Sequence, residues 1–108
     1  MNVDLYQKGT LDTFIKSSKV SDTIMHVVAG VGAESGEVLA CFQKFARGDF
    51  DYVELTRRLE GEIGGLMYYT AMLCNIMNLN LSDIMRSNRE SLLSRKERGV
   101  IKGDGDGR

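Results

Sequence analysis

Apolar residues recur at helical spacing along nearly all of this 108-residue chain, and no proline interrupts them. Residues three and four apart share one face of a helix, whereas a strand alternates at every second position. No period-two run of useful length is present, so an all-α fold is expected. A first helix runs from about Asn2 to Ser17, with Leu5, Leu11, Phe14 and Ile15 as its apolar positions. Ser21 or Asp22 caps a long second helix that ends near Arg47-Gly48, and Asp49 or Asp51 caps a third that reaches about Met77. Asn78 to Asn80 makes a turn, and Ser82 or Asp83 caps a fourth helix up to about Arg98-Gly99. Residues 99–108 hold too much glycine for a helix and are expected as a flexible Gly/Asp-rich tail.

The length allows one domain, residues 1–108, read as a four-helix bundle-like unit. The third helix is apolar almost all round between Ile63 and Met77. Such a helix is covered on every side, which one short chain hardly achieves alone. A homo-oligomer, dimer or tetramer, with this helix at the interface is therefore expected.

Three glutamates stand inside the apolar stripes. Glu34 and Glu37 share a face with Val27, Val31, Val38, Cys41 and Phe45; Glu62 shares one with Leu55, Leu59, Leu66, Tyr69 and Leu73. A carboxylate placed there is neutralised, hydrogen-bonded or bound to a cation. Two such helices facing each other gather oxygen ligands of the kind hard cations such as Mg²⁺ select. The competing arrangement is a polar network at an oligomer interface, with Arg58, one turn before Glu62, as the ion-pair partner. Gly30, Gly32, Gly36, Gly61, Gly64 and Gly65 cluster around the glutamates. Glycine is costly in a helix interior, so close helix approach or room for a ligand is expected there.

The net charge of −1 argues against a general nucleic-acid binder. Residues 86–108 nevertheless hold seven basic and four acidic side chains, +3 against −4 for the rest, which suits an anionic ligand. Lys44, Arg95, Lys96, Lys102 and Arg108 are candidate phosphate clamps, and Tyr69, on the Glu62 face, is a candidate pocket wall. His26 reads as a packed or surface side chain. Cys41 and Cys74 fit no zinc spacing and are expected as buried thiols in a reducing compartment. No signal peptide and no membrane span is expected, which gives a cytoplasmic location.

The run Gly30-Val31-Gly32-Ala33-Glu34-Ser35-Gly36-Glu37-Val38 resembles the G-L-x-x-E-x-G-E-V signature of MazG-like nucleotide pyrophosphohydrolases. Glu62-Ile63-Gly64-Gly65-Leu66-Met67-Tyr68-Tyr69 is similar to that family's E-L-G-D-V-L-W-Y, Tyr6-Gln7 to its Y-Q opening, and Asn88 to the asparagine of its fourth helix. The ending from Arg95 to Asp106 is similar to the tail of short phage-type members. The resemblance implies an all-α enzyme that hydrolyses (deoxy)nucleoside triphosphates to monophosphate and pyrophosphate. It further implies Glu34, Glu37 and Glu62 as catalytic metal ligands for Mg²⁺ or Mn²⁺. Nucleotide contacts are implied at Lys44, Tyr69, Asn88, Arg95, Lys96, Lys102 and Arg108.

The chain departs from the family pattern at Gly65, where the family has the aspartate of its second motif, and at Ser91, where it has a lysine. Three arrangements accommodate Gly65: a site held by Glu34, Glu37 and Glu62 with water, a ligand supplied by Asp104 or Asp106 of a tail, or a helical module that binds nucleotide without turning it over.

Overall fold

The computed structural model describes all residues, Met1–Arg108. Its elements are helices: α1 (Val3–Gly9), a 3₁₀ turn at Thr10–Asp12, α2 (Val20–Ala46), α3 (Tyr52–Ile76) and α4 (Leu81–Glu97).

The first helix is much shorter than its periodicity predicts. Asn2 caps it by accepting from the Leu5 amide at 2.9 Å. At the far end the Gln7 carbonyl is taken by side chains. Thr10 Oγ1 donates to it at 2.7 Å and Asn75 Nδ2 at 3.0 Å. A carbonyl engaged by local and distant side chains no longer directs the helix onward, and the chain turns at Thr10.

The second helix starts at Val20, before either expected cap. Lys19 is its N-cap and contributes no side-chain bond. Thr23 Oγ1 instead accepts from the Ser17 amide at 3.0 Å and ties down the incoming strand of chain. The helix ends at Ala46 beside left-handed Gly48 (φ 88), the usual C-terminal glycine. Asp51 then caps α3, accepting from the Glu54 amide at 2.9 Å. Beyond α3, Asn78 takes φ 54, a conformation asparagine tolerates. Asn80, not Ser82 or Asp83, caps α4, accepting from the Asp83 amide at 3.0 Å.

The short connection between α2 and α3 makes them an antiparallel hairpin. Their shared seam buries Val27, Cys41, Leu55, Ala71, Met72 and Cys74. Both cysteines are free thiols, and burial pushes the Cys74 thiol up from its ordinary value. α1 packs on α3, and α4 packs on α1 rather than along the hairpin. The expected bundle is therefore not closed. The radius of gyration is 16.9 Å, against about 13 Å for a compact domain of this length.

Gln7 fixes this open shape. Its buried side chain donates to Asn75 Oδ1 (3.0 Å) and to the Leu79 carbonyl (2.8 Å), and accepts from the Leu81 amide (2.8 Å). One amide thus holds the end of α3, the turn and the start of α4. The tail is non-helical as expected, yet it folds back on α4. Arg95 donates to the Asp106 carbonyl at 3.0 Å, Arg98 to that of Arg108 at 2.8 Å, and Arg108 to those of Val100 and Ile101 at 3.2 and 3.3 Å.

No membrane span was expected, and α2 bears on that expectation by length and composition alone. It has 27 residues and a window of mean hydropathy 1.3, long and apolar enough to cross a membrane. Its two glutamates are outweighed by the valine, leucine and phenylalanine around them.

Candidate functional site

The α2·α3 seam sets the site. Gly30 lies against the Tyr69 ring so closely that a β-carbon there would overlap it. One turn further along α2, the Glu34 carboxyl fills the space beside Gly65. Stepping four residues forward on α2 and four back on α3 is the pairing antiparallel helices require. Three residues further along α2 and three back along α3 stand Glu37 and Glu62, and both line one cavity of about 310 Å³. The glycine cluster is thus explained at two positions. Gly32, Gly36, Gly61 and Gly64 face open space.

Glu34 and Glu62 are half-buried, and their carboxyls lie close enough to perturb each other. Glu62 is held above the ordinary carboxylate value of 4.5, first by sharing a proton with Glu34, then by burial and by the Glu34 charge, with Lys44 pulling the other way. Two carboxyls pressed together hold a proton or a cation between them. Their oxygens match the donor chemistry of a hard divalent ion. Glu37 is exposed and stands further along the cavity. No group of three histidine, cysteine, aspartate or glutamate side chains converges closely enough to hold an ion in this arrangement.

The surroundings are graded. On the Gly30 side lies an aromatic cluster. His26 is 5.3 Å from Phe14 and 6.0 Å from Tyr69 between ring centroids, and Tyr68 meets Tyr69 edge-on at 5.4 Å. These rings border a hollow of about 210 Å³. On the opposite side, Lys44, Arg57 and Arg58 line the acid cavity. Arg58 is not the partner of Glu62. It pairs with Glu54 at 3.0 Å and stacks 4.3 Å over Phe50. Glu54 takes Arg57 as well, and the two guanidiniums hold its carboxyl down to about 2. Arg57 was not among the sequence-derived residues, and Arg58 was there only as the ion-pair partner its four-residue spacing from Glu62 offers.

Of the expected nucleotide contacts, Lys44 lines the acid cavity and Tyr69 stands one turn away, against Gly30. Asn88, Arg95, Lys96, Lys102 and Arg108 are at neither place, because they belong to α4 and the tail. Asn88 and Lys96 line a separate hollow of about 660 Å³ along α4. Arg95 is buried under the tail with Nε lacking a hydrogen-bond partner, and Arg108 is spent on backbone carbonyls. Lys102 is exposed. Asp106 stands 3.7 Å from Arg95, so this chain's own tail brings no carboxylate to the glutamates.

Along its whole length the chain is 34% identical to the Gene 37 protein of Mycobacterium phage L5, itself covered completely by the alignment. No protein-family model matches the chain. No solved structure matches it significantly.

Proposed function

This chain belongs to the family of the Mycobacterium phage L5 Gene 37 protein, and we propose that it is a MazG-like, metal-dependent hydrolase of nucleoside triphosphates that releases pyrophosphate. The observation carrying this reading is the Glu34–Glu62 carboxyl pair, set between an aromatic cluster one turn away and the Lys44 cation.

Each part suits a piece of the substrate. The base stacks on the open rings of His26 and Tyr69, the chemistry by which bases bind aromatic side chains generally. Glu34 and Glu62, with Glu37 beside them, hold Mg²⁺ or Mn²⁺, which when bound offsets phosphate charge and polarises water. Lys44 offers a cation to the outer phosphates.

Self-association belongs to the same proposal. Ile63 and Met67 on α3 and Leu39 and Phe42 on α2 are exposed, and apolar area of this extent is normally covered. The free thiols and the two glutamates at the middle of α2, Glu34 and Glu37, favour a cytoplasmic protein over a membrane one. A second reading rests on Gly65 and on the missing third converging ligand: an oligomeric module that binds nucleotide without hydrolysis.

Pyrophosphate release over a nucleotide panel with Mg²⁺ and Mn²⁺ tests the first reading. Glu37→Gln is expected to abolish turnover with helical content unchanged. Turnover at the original rate in that variant refutes the mechanism. Calorimetric nucleotide binding with no turnover under either metal selects the silent module.

A further inference from the structure

The acid cavity has a cationic rim. Lys44, Arg57 and Arg58 line the cavity together with Glu37 and Glu62, yet none of the three pairs with either acid. Lys44 is half-buried and has no carboxylate within ion-pair distance. Arg57 and Arg58 share the single charge of Glu54. The Arg58 guanidinium is fixed before any ligand arrives. Its Nε donates to Glu54 at 3.0 Å, and the group lies 4.3 Å over the Phe50 ring. Its two terminal nitrogens donate to no group of the protein. A guanidinium presents its donors as a rigid fork, which matches two oxygens of one phosphate. A side chain already held loses less freedom on binding than a free one.

Position along α3 decides which part of a ligand this fork meets. Tyr69, Glu62 and Arg58 follow one another at spacings of seven and four residues, which keeps them on one face. At the helical rise, Tyr69 and Arg58 stand about 16 Å apart, with Glu62 between them and about 6 Å from Arg58. A nucleotide whose base lies on the His26 and Tyr69 rings therefore meets Glu62 with the near part of its phosphate chain and Arg58 with the far end. A diphosphate on the same base is one phosphate shorter. It ends outside the roughly 2.7–2.9 Å reach of a charge-assisted hydrogen bond from the fork.

We propose that Arg58, with Arg57 beside it, binds the terminal phosphate of a nucleoside triphosphate, and that the site thereby selects triphosphates over diphosphates of the same base. This rests on the placement of base and acids proposed above and adds the residue that reads the length of the phosphate chain. Lys44 lies along the middle of that chain. Glu54 and Phe50 keep the Arg58 fork in place from the side away from the ligand, so the terminal phosphate meets a donor pair that needs no rearrangement.

Calorimetry with α,β-methylene analogues tests this without turnover. A triphosphate and a diphosphate of one nucleoside, both carrying that uncleavable link, are titrated in millimolar Mg²⁺. The triphosphate is expected to bind about tenfold more tightly or better, as two hydrogen bonds between charged groups allow. Arg58→Gln is expected to weaken the triphosphate about tenfold and leave the diphosphate unchanged, whereas a loosened fold weakens both. Arg58→Lys keeps the charge without the fork and is expected to fall between the two proteins. Both variants are expected to keep full helical content, since Arg58 is exposed. Arg47→Gln removes an equal charge from the α2–α3 turn, where Arg47 pairs with Asp49 at 2.7 Å, and is expected to change neither affinity. Equal affinities for the two analogues, binding of neither, an undiminished preference in Arg58→Gln, or an equal loss in Arg47→Gln overturns the proposal. If no nucleotide is hydrolysed but the preference depends on Arg58, the reaction assigned above fails and the phosphate reader stands. Hydrolysis with a preference independent of Arg58 has the opposite meaning.

Discussion

The carboxyl of Glu34 occupies the space that a side chain at Gly65 would take, with a β-carbon there falling 2.7 Å from Glu34 Cδ. The second-motif position of α3 and the first-motif glutamate of α2 are therefore direct neighbours. Glycine at 65 lets Glu34 turn in toward Glu62.

Gly65→Asp is expected to push the Glu34 carboxyl aside and add a third negative charge. Without divalent ions the melting temperature falls by about 4–8 °C, the equivalent of roughly 1 kcal/mol in a domain of this size. Millimolar Mg²⁺ restores it, because a further carboxylate tightens an oxygen site. Melting curves in chelator and in Mg²⁺ decide this, and identical curves for the two proteins in both conditions rule it out.

The Glu34–Glu62 pair makes stability depend on pH. The folded state raises the affinity of Glu62 for its proton, so this contribution is complete below the ordinary value of 4.5 and is lost as pH rises through the higher folded value. Glu54 acts in the opposite sense. Its stabilisation is present above 4.5 and is lost as pH falls toward about 2. In the absence of metal, Glu62→Gln is expected to remove the loss on the rising-pH side and leave the acid side unchanged. Urea melts at several pH values from 3 to 8 measure it; parallel profiles for both proteins contradict the pairing.

The two helical glycines Gly30 and Gly32 are expected to respond oppositely to alanine. At Gly30 the new methyl meets the Tyr69 ring, and overpacking of this kind costs about 1–3 kcal/mol. At Gly32 there is open space, so alanine gains the helical preference of up to about 1 kcal/mol. Denaturant midpoints for the two variants should move in opposite directions.

Gln7→Leu is expected to cost about 2 kcal/mol or more, since it strands the buried Leu79 carbonyl and Leu81 amide. Amide hydrogen exchange at Leu81 should accelerate before that of Met72 in the seam. Equal acceleration at both residues would place Gln7 outside the α3–α4 turn.

Much of this was legible in the sequence, and the limits have physical causes. The hairpin follows from periodicity and from punctuation at Gly48 and Asp51, which act within a few residues. The Glu34–Glu62 meeting follows from face-sharing on two facing helices. Short polar residues are ambiguous as caps, so Asn80 was hidden behind Ser82 and Asp83. The early end of α1 and the direction of α4 depend on Gln7 and Asn75, partners 68 residues apart whose bonds leave no periodic trace. The tail arginines were read by charge alone, and charge does not reveal that Arg95, Arg98 and Arg108 are committed to carbonyls.

The left-handed turn at Gly48 is the point where both arms of the hairpin meet, and Glu34 lies about 20 Å along α2 from it at the helical rise of about 1.5 Å per residue. A change of about 3° at that turn would alter the gap between the carboxyls by about 1 Å at that radius. On the proposed reading, an ion held between Glu34 and Glu62 would draw the two arms together and register at the turn as an angle.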